Sequence, residues 1–249
     1  MSRRYRVRDG IIIRRNALPN GDIVATILGE KGKWHGIARK GKIPGGNLGR
    51  LSLFHDVTIQ YYRRGEEALA LITQVQLNGA LSRLSQPDVY PYAHILAELA
   101  DALSVEVEPG GQIYDYLASG LRGLNQHRDT ELVALAYAWK LTAQAGLAPQ
   151  VATCTHCKTT SQLAFFDIAG GGLGCQQCRV GLPLLERQAA EVQQLVRGSV
   201  RTTLDMRLPD RALHWRILHR YLAYHVRPLK SLINLSSLTE TYKGEASRV

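Results

Sequence analysis

The chain has 249 residues, 45% of them hydrophobic, with a formal net charge of +10 and a sequence pI near 9.6. This length exceeds that of a common single domain, so two domains, or one with a small insertion, are expected. The sequence argues against a membrane span because it has no apolar run of about 18 residues. It begins with charged residues rather than an apolar secretion signal, which predicts a soluble, cytoplasmic protein.

Positive charge is concentrated at the front of the chain. Residues 1–80 carry 14 Lys and Arg against 6 Asp and Glu, a net charge of +8; the remainder carries 17 against 15, a net charge of +2. Clustered cations bind polyanions because neutralising phosphates releases condensed counterions. Nucleic acid is the favoured partner over a membrane surface, since no basic amphipathic helix opens the chain. A merely soluble basic surface is the alternative.

The first 80 residues have the pattern of a small β domain. Five short apolar or alternating runs are separated by Gly, Pro and Asn turn signals. Five strands of this length suit a closed barrel, and the OB-fold, which binds single strands, is the leading candidate; an SH3-like barrel fits the pattern as well. The predicted strands are Val7–Arg14, Asp22–Leu28, Gly36–Lys40, Val57–Tyr62 and Ala68–Leu77.

A hairpin loop is predicted between Gly29 and Gly36, with cations at its tip and exit. We expect these cations to contact phosphates while Trp34 stacks on a base, unless the ring folds back onto the barrel and the lysines are simply solvated. Further arginines at strand ends extend the predicted groove. The predicted nucleic-acid contacts are Arg14, Arg15, Lys31, Lys33, Trp34, Arg39, Lys40, Lys42, Arg63 and Arg64.

Beyond residue 80 the apolar period changes from two to about 3.6, which predicts helices. Five are expected, and Trp139 and Trp215 on their apolar stripes are predicted to be core residues. Pro209 is expected in the first turn of the last helix. The predicted helices are Tyr92–Leu103, Gln112–Leu124, Thr130–Ala145, Leu184–Arg197 and Pro209–Val226.

Between the third and fourth predicted helices stand the four cysteines of the chain, Cys154, Cys157, Cys175 and Cys178. Two Cys-x-x-Cys knuckles at this separation predict one tetrahedral Zn²⁺. Disulfides are disfavoured because no secretion signal is present, and four cysteines close the coordination shell, so the zinc is expected to be structural. His156 is interpreted as a bystander.

Two features surround the predicted zinc site. Phe165 and Phe166 are expected to cover one side of it, and the glycine run at 170–174 is interpreted as a turn into the second knuckle rather than a phosphate loop. The predicted domains are an OB-fold at 1–80, an α-helical domain at 81–150 and 181–240, and a four-cysteine zinc ribbon at 151–180 inserted into the helical domain.

The last helix and its exit collect further cations. Part of this cluster is explained by the helix dipole, which favours positive charge at the C-terminus. The remainder predicts a second basic surface that suits either a nucleic-acid backbone or an acidic peptide. Its members are Arg216, Arg220, Arg227 and Lys230.

Enzyme motifs are absent from the sequence. Asp9, Asp22 and Asp56 are scattered without the close pairing of a two-metal nuclease, and no Walker-type loop or Gly-x-Ser-x-Gly elbow occurs. The chain is therefore predicted not to be an enzyme. A metal-dependent nuclease is one alternative, and a zinc-ribbon RNA-binding or ribosome-associated factor is another.

Taken in order, these segments resemble the RecO family of bacterial DNA repair proteins. The resemblance rests on the cysteine spacing, the opening strand into Arg14, the segment at 38–41 and the Leu229-Lys230-Ser231 ending. It implies an N-terminal OB-fold and a helical domain with a zinc ribbon. It also implies binding of single- and double-stranded DNA, annealing of complementary strands, action with RecR, and recombinase loading on DNA coated by single-strand-binding protein. Such a protein works in the cytoplasm, at the nucleoid.

Overall fold

The computed structural model describes residues 5–40, 49–65, 69–79, 81–106 and 111–235. The chain separates into two compact units, Met1–Arg128 and Asp129–Val249. The first unit contains a β-barrel and the two helices that follow it, so these helices group with the barrel and not with the later helices. The second unit contains the remaining helices and a small sheet.

Five strands form a closed barrel in the order β1-β2-β3-β5-β4, with β1 and β4 paired to complete the circle. Neighbouring strands run antiparallel except for β3 and β5, which run parallel. This five-stranded barrel confirms the predicted OB-fold. The strands are β1 (Tyr5–Ala17), β2 (Ile23–Gly29), β3 (Gly32–Ala38), β4 (Asp56–Tyr62) and β5 (Ala70–Gly79).

The first strand serves both sides of the barrel. Its first half pairs with β4 and its second half with β2, and the register shifts between Ile12 and Arg14. Ile11, Ile12 and Ile13 are all buried, although a strand turns successive side chains to opposite faces. Ile12 lies in the barrel core. Helices of the same unit contact the strand, so both of its faces can bury apolar side chains.

The third strand begins four residues earlier than predicted. Gly29 pairs with Gly32, so the expected long loop is a two-residue turn at Glu30 and Lys31. Gly32 has a φ of +96°, and a Cβ atom there would stand 2.7 Å from the carbonyl oxygen of Glu106. Glycine therefore permits a tight turn packed against the segment that follows the first helix.

The barrel is followed by a 3₁₀ turn (Ser82–Ser85) and two helices, α1 (Tyr90–Leu103) and α2 (Gln112–Gln126). The guanidinium of Arg83 donates hydrogen bonds to the carbonyl oxygens of Asn125 and His127, at 3.1 and 3.0 Å. These bonds tie the entry of the helical segment to its exit.

The second unit is built around α3, whose side chains are buried on almost every face. Its helices are α3 (Thr130–Gln144), α4 (Glu186–Arg197), α5 (Val200–Leu204) and α6 (Arg211–His225). Within the described ranges, none of the helices combines the length and apolar character needed to cross a bilayer.

The last helix begins later than predicted. The side chain of Asp210 accepts a hydrogen bond from the backbone N–H of Leu213 and caps α6, so Pro209 lies before the helix. Arg211 in the first turn forms ion pairs with Asp129 and Glu131 at the start of α3. Trp139 and Trp215 are 1% and 7% exposed, which confirms that both are core residues.

A three-stranded sheet, ordered β7-β6-β8, follows α3. Its strands are β6 (Leu163–Asp167), β7 (Gly172–Cys175) and β8 (Leu182–Pro183). The predicted glycine turn is confirmed at Gly171, which has a φ of +73°, and Gly172 starts β7. A Cβ atom on Gly172 would collide with the backbone of Gln150, so only glycine fits this pairing.

Candidate metal centre and nucleic-acid interface

The fold brings the four cysteines together beside the small sheet, whose strand β7 ends at Cys175. They are free thiols, and their sulfur atoms all lie within 4.8 Å of one another. Zn–S bonds of about 2.3 Å in a tetrahedron would place the sulfurs about 3.8 Å apart, so small adjustments of the sulfur positions would complete a Zn²⁺ site. Within the described part of the chain, this is the only group of three or more His, Cys, Asp or Glu side chains that could hold a metal ion.

Each knuckle closes with the same backbone turn. The N–H of Lys158 donates to the carbonyl oxygen of Cys154 at 3.1 Å, and the N–H of Arg179 donates to that of Cys175 at 3.0 Å. Both Lys158 and Arg179 have φ between +50° and +70°, the left-handed region. The N–H of Cys175 lies 3.4 Å from the Cys154 sulfur, where it stabilises a thiolate.

The sulfurs differ in acidity because they interact. Burial opposes ionisation of Cys154, but hydrogen bonds from the backbone of Cys157 and His156 lower its pKa to about 6. Hydrogen bonds with the Cys157 and Cys175 side chains raise the pKa of Cys178 to about 12. Thiols this close ionise in steps, since each new thiolate disfavours the next. A divalent cation among them removes that repulsion, so the donor set fits Zn²⁺.

His156 lies outside the sulfur cluster. Its Nε2 atom is 2.8 Å from an oxygen of Asp167, a buried carboxylate that also accepts a hydrogen bond from the N–H of Gly170. Burial opposes the shift, but these hydrogen bonds hold the pKa of Asp167 below its ordinary value. The histidine therefore braces the ribbon rather than ligating the metal.

The segment that carries the cysteines packs against the helices of the second unit through an aromatic contact and hydrogen bonds. Phe166, predicted to cover the metal, is fully buried with its ring centroid 6.0 Å from that of Tyr221 on α6. The imidazole of His225 donates to the carbonyl oxygen of Ile168 at 2.7 Å, and Gln193 on α4 donates to that of Val151 at 2.8 Å. The ribbon is therefore part of the packing of the second unit.

In the first unit, the structure corrects two of the predicted nucleic-acid contacts. Trp34 is 5% exposed and lies in the barrel core, with its ring centroid 4.9 Å from that of Tyr61. The base-stacking role predicted for Trp34 is wrong, and the alternative, in which the ring folds into the barrel, is confirmed. The physical reason is strand alternation, because β3 begins at Gly32 and turns Trp34 inward.

The second correction concerns Lys33, which was predicted to contact phosphate. Its ammonium group donates to the carbonyl oxygen and the carboxylate of Asp101, at 2.7 and 3.0 Å, and its side chain is 18% exposed. Its backbone N–H also donates to the carbonyl oxygen of Val105. Lys33 therefore binds the end of α1 to the barrel and is not placed to contact phosphate.

The remaining predicted barrel cations do not form one hairpin cluster. Lys31 is exposed at the β2–β3 turn, whereas Arg39 and Lys40 are exposed beyond the other end of β3. A strand of this length separates the two positions by roughly 20 Å. The backbone N–H of Lys40 donates to the carboxylate of Asp22 at 2.8 Å, which places Arg39 and Lys40 beside the β1–β2 loop.

Strand register brings the other arginines towards the same end of the barrel. Ala17 pairs with Ile23 and Ile23 with Ala38, while Gly36 pairs with Ala70 at the start of β5. The β1–β2 loop, the end of β4 and the start of β5 therefore lie beside the end of β3. Of the predicted contacts in this region, Arg14, Arg39, Lys40 and Arg64 are exposed, Arg15 and Arg63 are half-buried, and Lys42 lies outside the described residues.

On α6 the predicted second surface is exposed. Arg216 and Arg220 lie one helical turn apart, and Arg227 and Lys230 are exposed beyond the end of the helix. Tyr224, 63% exposed, stands four residues after Arg220 and therefore shares this face. Sequence reasoning missed Tyr224, although its i+4 spacing from Arg220 was a readable signal.

The aspartates of the nuclease alternative have other partners. Asp9 accepts a hydrogen bond from Thr58, and Asp22 accepts from Asn20 and from the backbone of Lys40. Neither belongs to a group of potential metal ligands among the described residues.

Comparison with known proteins identifies the family. The model of the C-terminal part of recombination protein O matches residues 84–233. A DNA repair protein RecO of Streptomyces avermitilis is 31% identical over 69% of this chain and 73% of its own length. RecO proteins of Bacillus subtilis and Thermobifida fusca are 25% and 27% identical over 68% and 88% of this chain, and over 67% and 92% of their own lengths. The chain therefore belongs to the RecO family.

Proposed function

We propose that this protein is a DNA repair and recombination mediator that binds single- and double-stranded DNA through the cationic end of its barrel. Family membership supports the repair role, since the relatives are named DNA repair proteins. The observation that carries the proposal is the arrangement of exposed cations around the loops of an OB-fold, the part of this fold that binds oligonucleotides.

The proposed interface on the barrel contains Arg14, Arg39, Lys40 and Arg64, which are exposed, with Arg15 and Arg63 at its border. Contacts of this kind are to phosphates and carry no sequence information. A mediator acts on any damaged site, so sequence-independent binding suits the task. Lys31 stands apart from this interface and serves as its internal control.

Annealing requires two strands to be held close while their phosphate repulsion is neutralised. The exposed face of α6 supplies a second set of cations, Arg216 and Arg220, with Tyr224 beside them as a stacking platform. We infer that this face takes the second strand; an acidic peptide is the competing occupant.

Family membership supports a finer role for the protein. Together with RecR, the protein would assist recombinase loading on DNA coated by single-strand-binding protein, in the cytoplasm at the nucleoid. None of these steps makes or breaks a covalent bond, so the role needs no catalytic residues. The zinc would be one structural ion per chain, held by the four cysteines, and supplies folding energy to the ribbon.

The test is a salt titration of binding to a short single-stranded DNA. Combining Arg39→Ala with Lys40→Asn should reduce the magnitude of the slope of log affinity against log salt by about 1.4, since each lost contact contributes about 0.7 on a single strand. Asparagine replaces Lys40 because the φ of Lys40 is 49°, in the left-handed region, which asparagine tolerates better than alanine does. Lys31→Ala should leave the slope unchanged.

Three results would contradict the proposal. Equal slopes for the double variant and the unaltered protein would remove the end of β3 from the interface. A clear preference for matched RNA without annealing of complementary DNA would favour the RNA-binding alternative. Cleavage of labelled DNA by the pure protein with Mg²⁺ or Mn²⁺ would favour the nuclease alternative.

A further inference from the structure

A cavity of about 420 Å³ lies in the first unit, between β1, the segment before β4 and the start of α1. Apart from Arg15, none of its lining residues belongs to the sites described above, and its volume falls in the usual range for small-molecule sites, about 300–1,000 Å³. Its apolar wall includes Phe54, Leu84 and Tyr90, and its polar wall includes Arg15 and His55. We call it the Tyr90 pocket.

The aromatic wall presents one ring to solvent and holds it in place. Tyr90 is 41% exposed, whereas Phe54 is 5% exposed and meets Tyr90 edge-on with ring centroids 5.6 Å apart. His94, one turn further along α1, lies 6.0 Å from the same ring. A supported ring with a free face loses little conformational freedom when a flat ligand stacks on it.

The polar wall is rich in hydrogen-bond acceptors. His55 donates through Nδ1 to the carbonyl oxygen of Arg50, which leaves Nε2 as an acceptor in the neutral ring. The hydroxyls of Ser52 and Ser85, which also line the cavity, donate to the carbonyl oxygens of Gly49 and Ser82. Because both hydroxyl protons are already donated, the oxygen atoms of Ser52 and Ser85 can only accept hydrogen bonds from a ligand. Such a wall selects a flat ring that carries its own N–H donors.

Arg15, which lies at the border of the proposed DNA interface, also lines this wall, so the cavity adjoins that interface. A ring with N–H donors next to an anionic group describes a nucleotide. An acidic peptide with a hydrocarbon side chain at its end would match the charge of Arg15, but it would cover these acceptors without supplying donors, which costs free energy once the acceptors are removed from water.

We propose that the Tyr90 pocket receives one unstacked base of a bound single strand, with the base against Tyr90 and its phosphate near Arg15. The inference rests on the proposed function and deepens it, because it adds a base contact to an interface otherwise made of phosphate contacts. A base held outside the stack leaves its neighbours along the strand free to meet a complementary strand, as annealing requires.

The test compares two oligonucleotides of about 12 nucleotides, a length within the usual range for one OB-fold. One is intact and the other has central abasic sites, so both carry the same phosphates. The unaltered protein should bind the intact strand about tenfold tighter, since stacking contributes about 1–3 kcal/mol per base. Tyr90→Ala should reduce this ratio to near one without weakening binding of the abasic strand.

Tyr5→Ala is the matched comparison, because Tyr5 is an exposed aromatic residue of the same unit that does not line the pocket. It should retain the tenfold ratio. Loss of the ratio in Tyr5→Ala, with retention in Tyr90→Ala, would overturn the inference by moving the base elsewhere.

A second measurement uses the unaltered protein and so does not depend on the folding of a variant. A strand containing 5-iododeoxyuridine, irradiated in the complex, should form adducts on Tyr90 or Phe54 that peptide mapping locates. Adducts confined to other residues would overturn the inference. Equal, salt-sensitive binding of intact and abasic strands would refute the pocket and leave the proposed function standing, whereas no binding of either strand at low salt would refute both.

Discussion

Replacing Cys154 with serine tests whether the zinc ribbon is scaffold or binding surface. Cys154 is fully buried, and its sulfur accepts a hydrogen bond from the backbone of Cys175, so it connects both knuckles. A hydroxyl is a poor substitute for a thiolate ligand, and we expect the zinc content to fall from one per chain to well below one.

The size of the effect follows from what the ribbon contributes to the second unit. Loss of the buried Phe166 contact removes about 3–5 kcal/mol, and the bonds of His225 to Ile168 and of Gln193 to Val151 contribute about 1 kcal/mol each. The total is about 5–7 kcal/mol. For a unit of this size, about 1 kcal/mol corresponds to about 4 °C, so the melting temperature of the second unit should fall by about 20–28 °C.

The assay combines zinc quantification, thermal melting and titration with single-stranded DNA. His156→Ala is the control, because His156 stands in the same knuckle but bonds Asp167 instead of the metal. It should keep one zinc per chain and lower stability by about 1 kcal/mol. DNA affinity should stay within about twofold in both variants. Zinc loss without a change in melting would refute the scaffold role, and loss of DNA binding at unchanged stability would place DNA on the ribbon.

Three further outcomes are expected. Trp34→Ala should destabilise the barrel by about 3–5 kcal/mol in urea, while the folded variant keeps the salt dependence of DNA binding; a reduced slope would restore Trp34 to the interface. Lys33→Met should cost about 1–3 kcal/mol, because it removes the ion pair and hydrogen bonds between Lys33 and Asp101, and a change confined to DNA affinity would contradict this. Burial lowers the pKa of His214, although its hydrogen bond to Glu191 opposes the shift. Below pH about 6.5 the histidine is protonated in the unfolded chain but stays neutral in the folded state. As the pH falls further, the free energy of unfolding should therefore decrease by up to about 1.4 kcal/mol per pH unit. Replacing His214 with glutamine should flatten that dependence, and identical pH profiles would refute the assignment.

Short sequence patterns predicted the structure correctly where neighbouring residues fix the local geometry. The spacing of Cys154, Cys157, Cys175 and Cys178 was enough to bring four sulfurs together, because a Cys-x-x-Cys knuckle fixes its own geometry. The five strands and the five long helices were also found from periodicity. The helix α5 was missed because five residues are too short to show a helical period. The true start of β3 was missed because Gly29, Gly32 and the two-residue turn between them carry little strand pattern.

The sequence by itself determined the barrel, the helices and the cysteine cluster, because strand alternation, helical periodicity and cysteine spacing act over a few residues. The tertiary structure alone decided which cations are exposed at one end of the barrel. A lysine is equally basic wherever it stands, so the printed sequence could not separate Lys33, which binds Asp101, from Lys40, which faces solvent. The Tyr90 pocket likewise joins side chains from β1, the segment before β4 and the start of α1, which only long-range packing brings together.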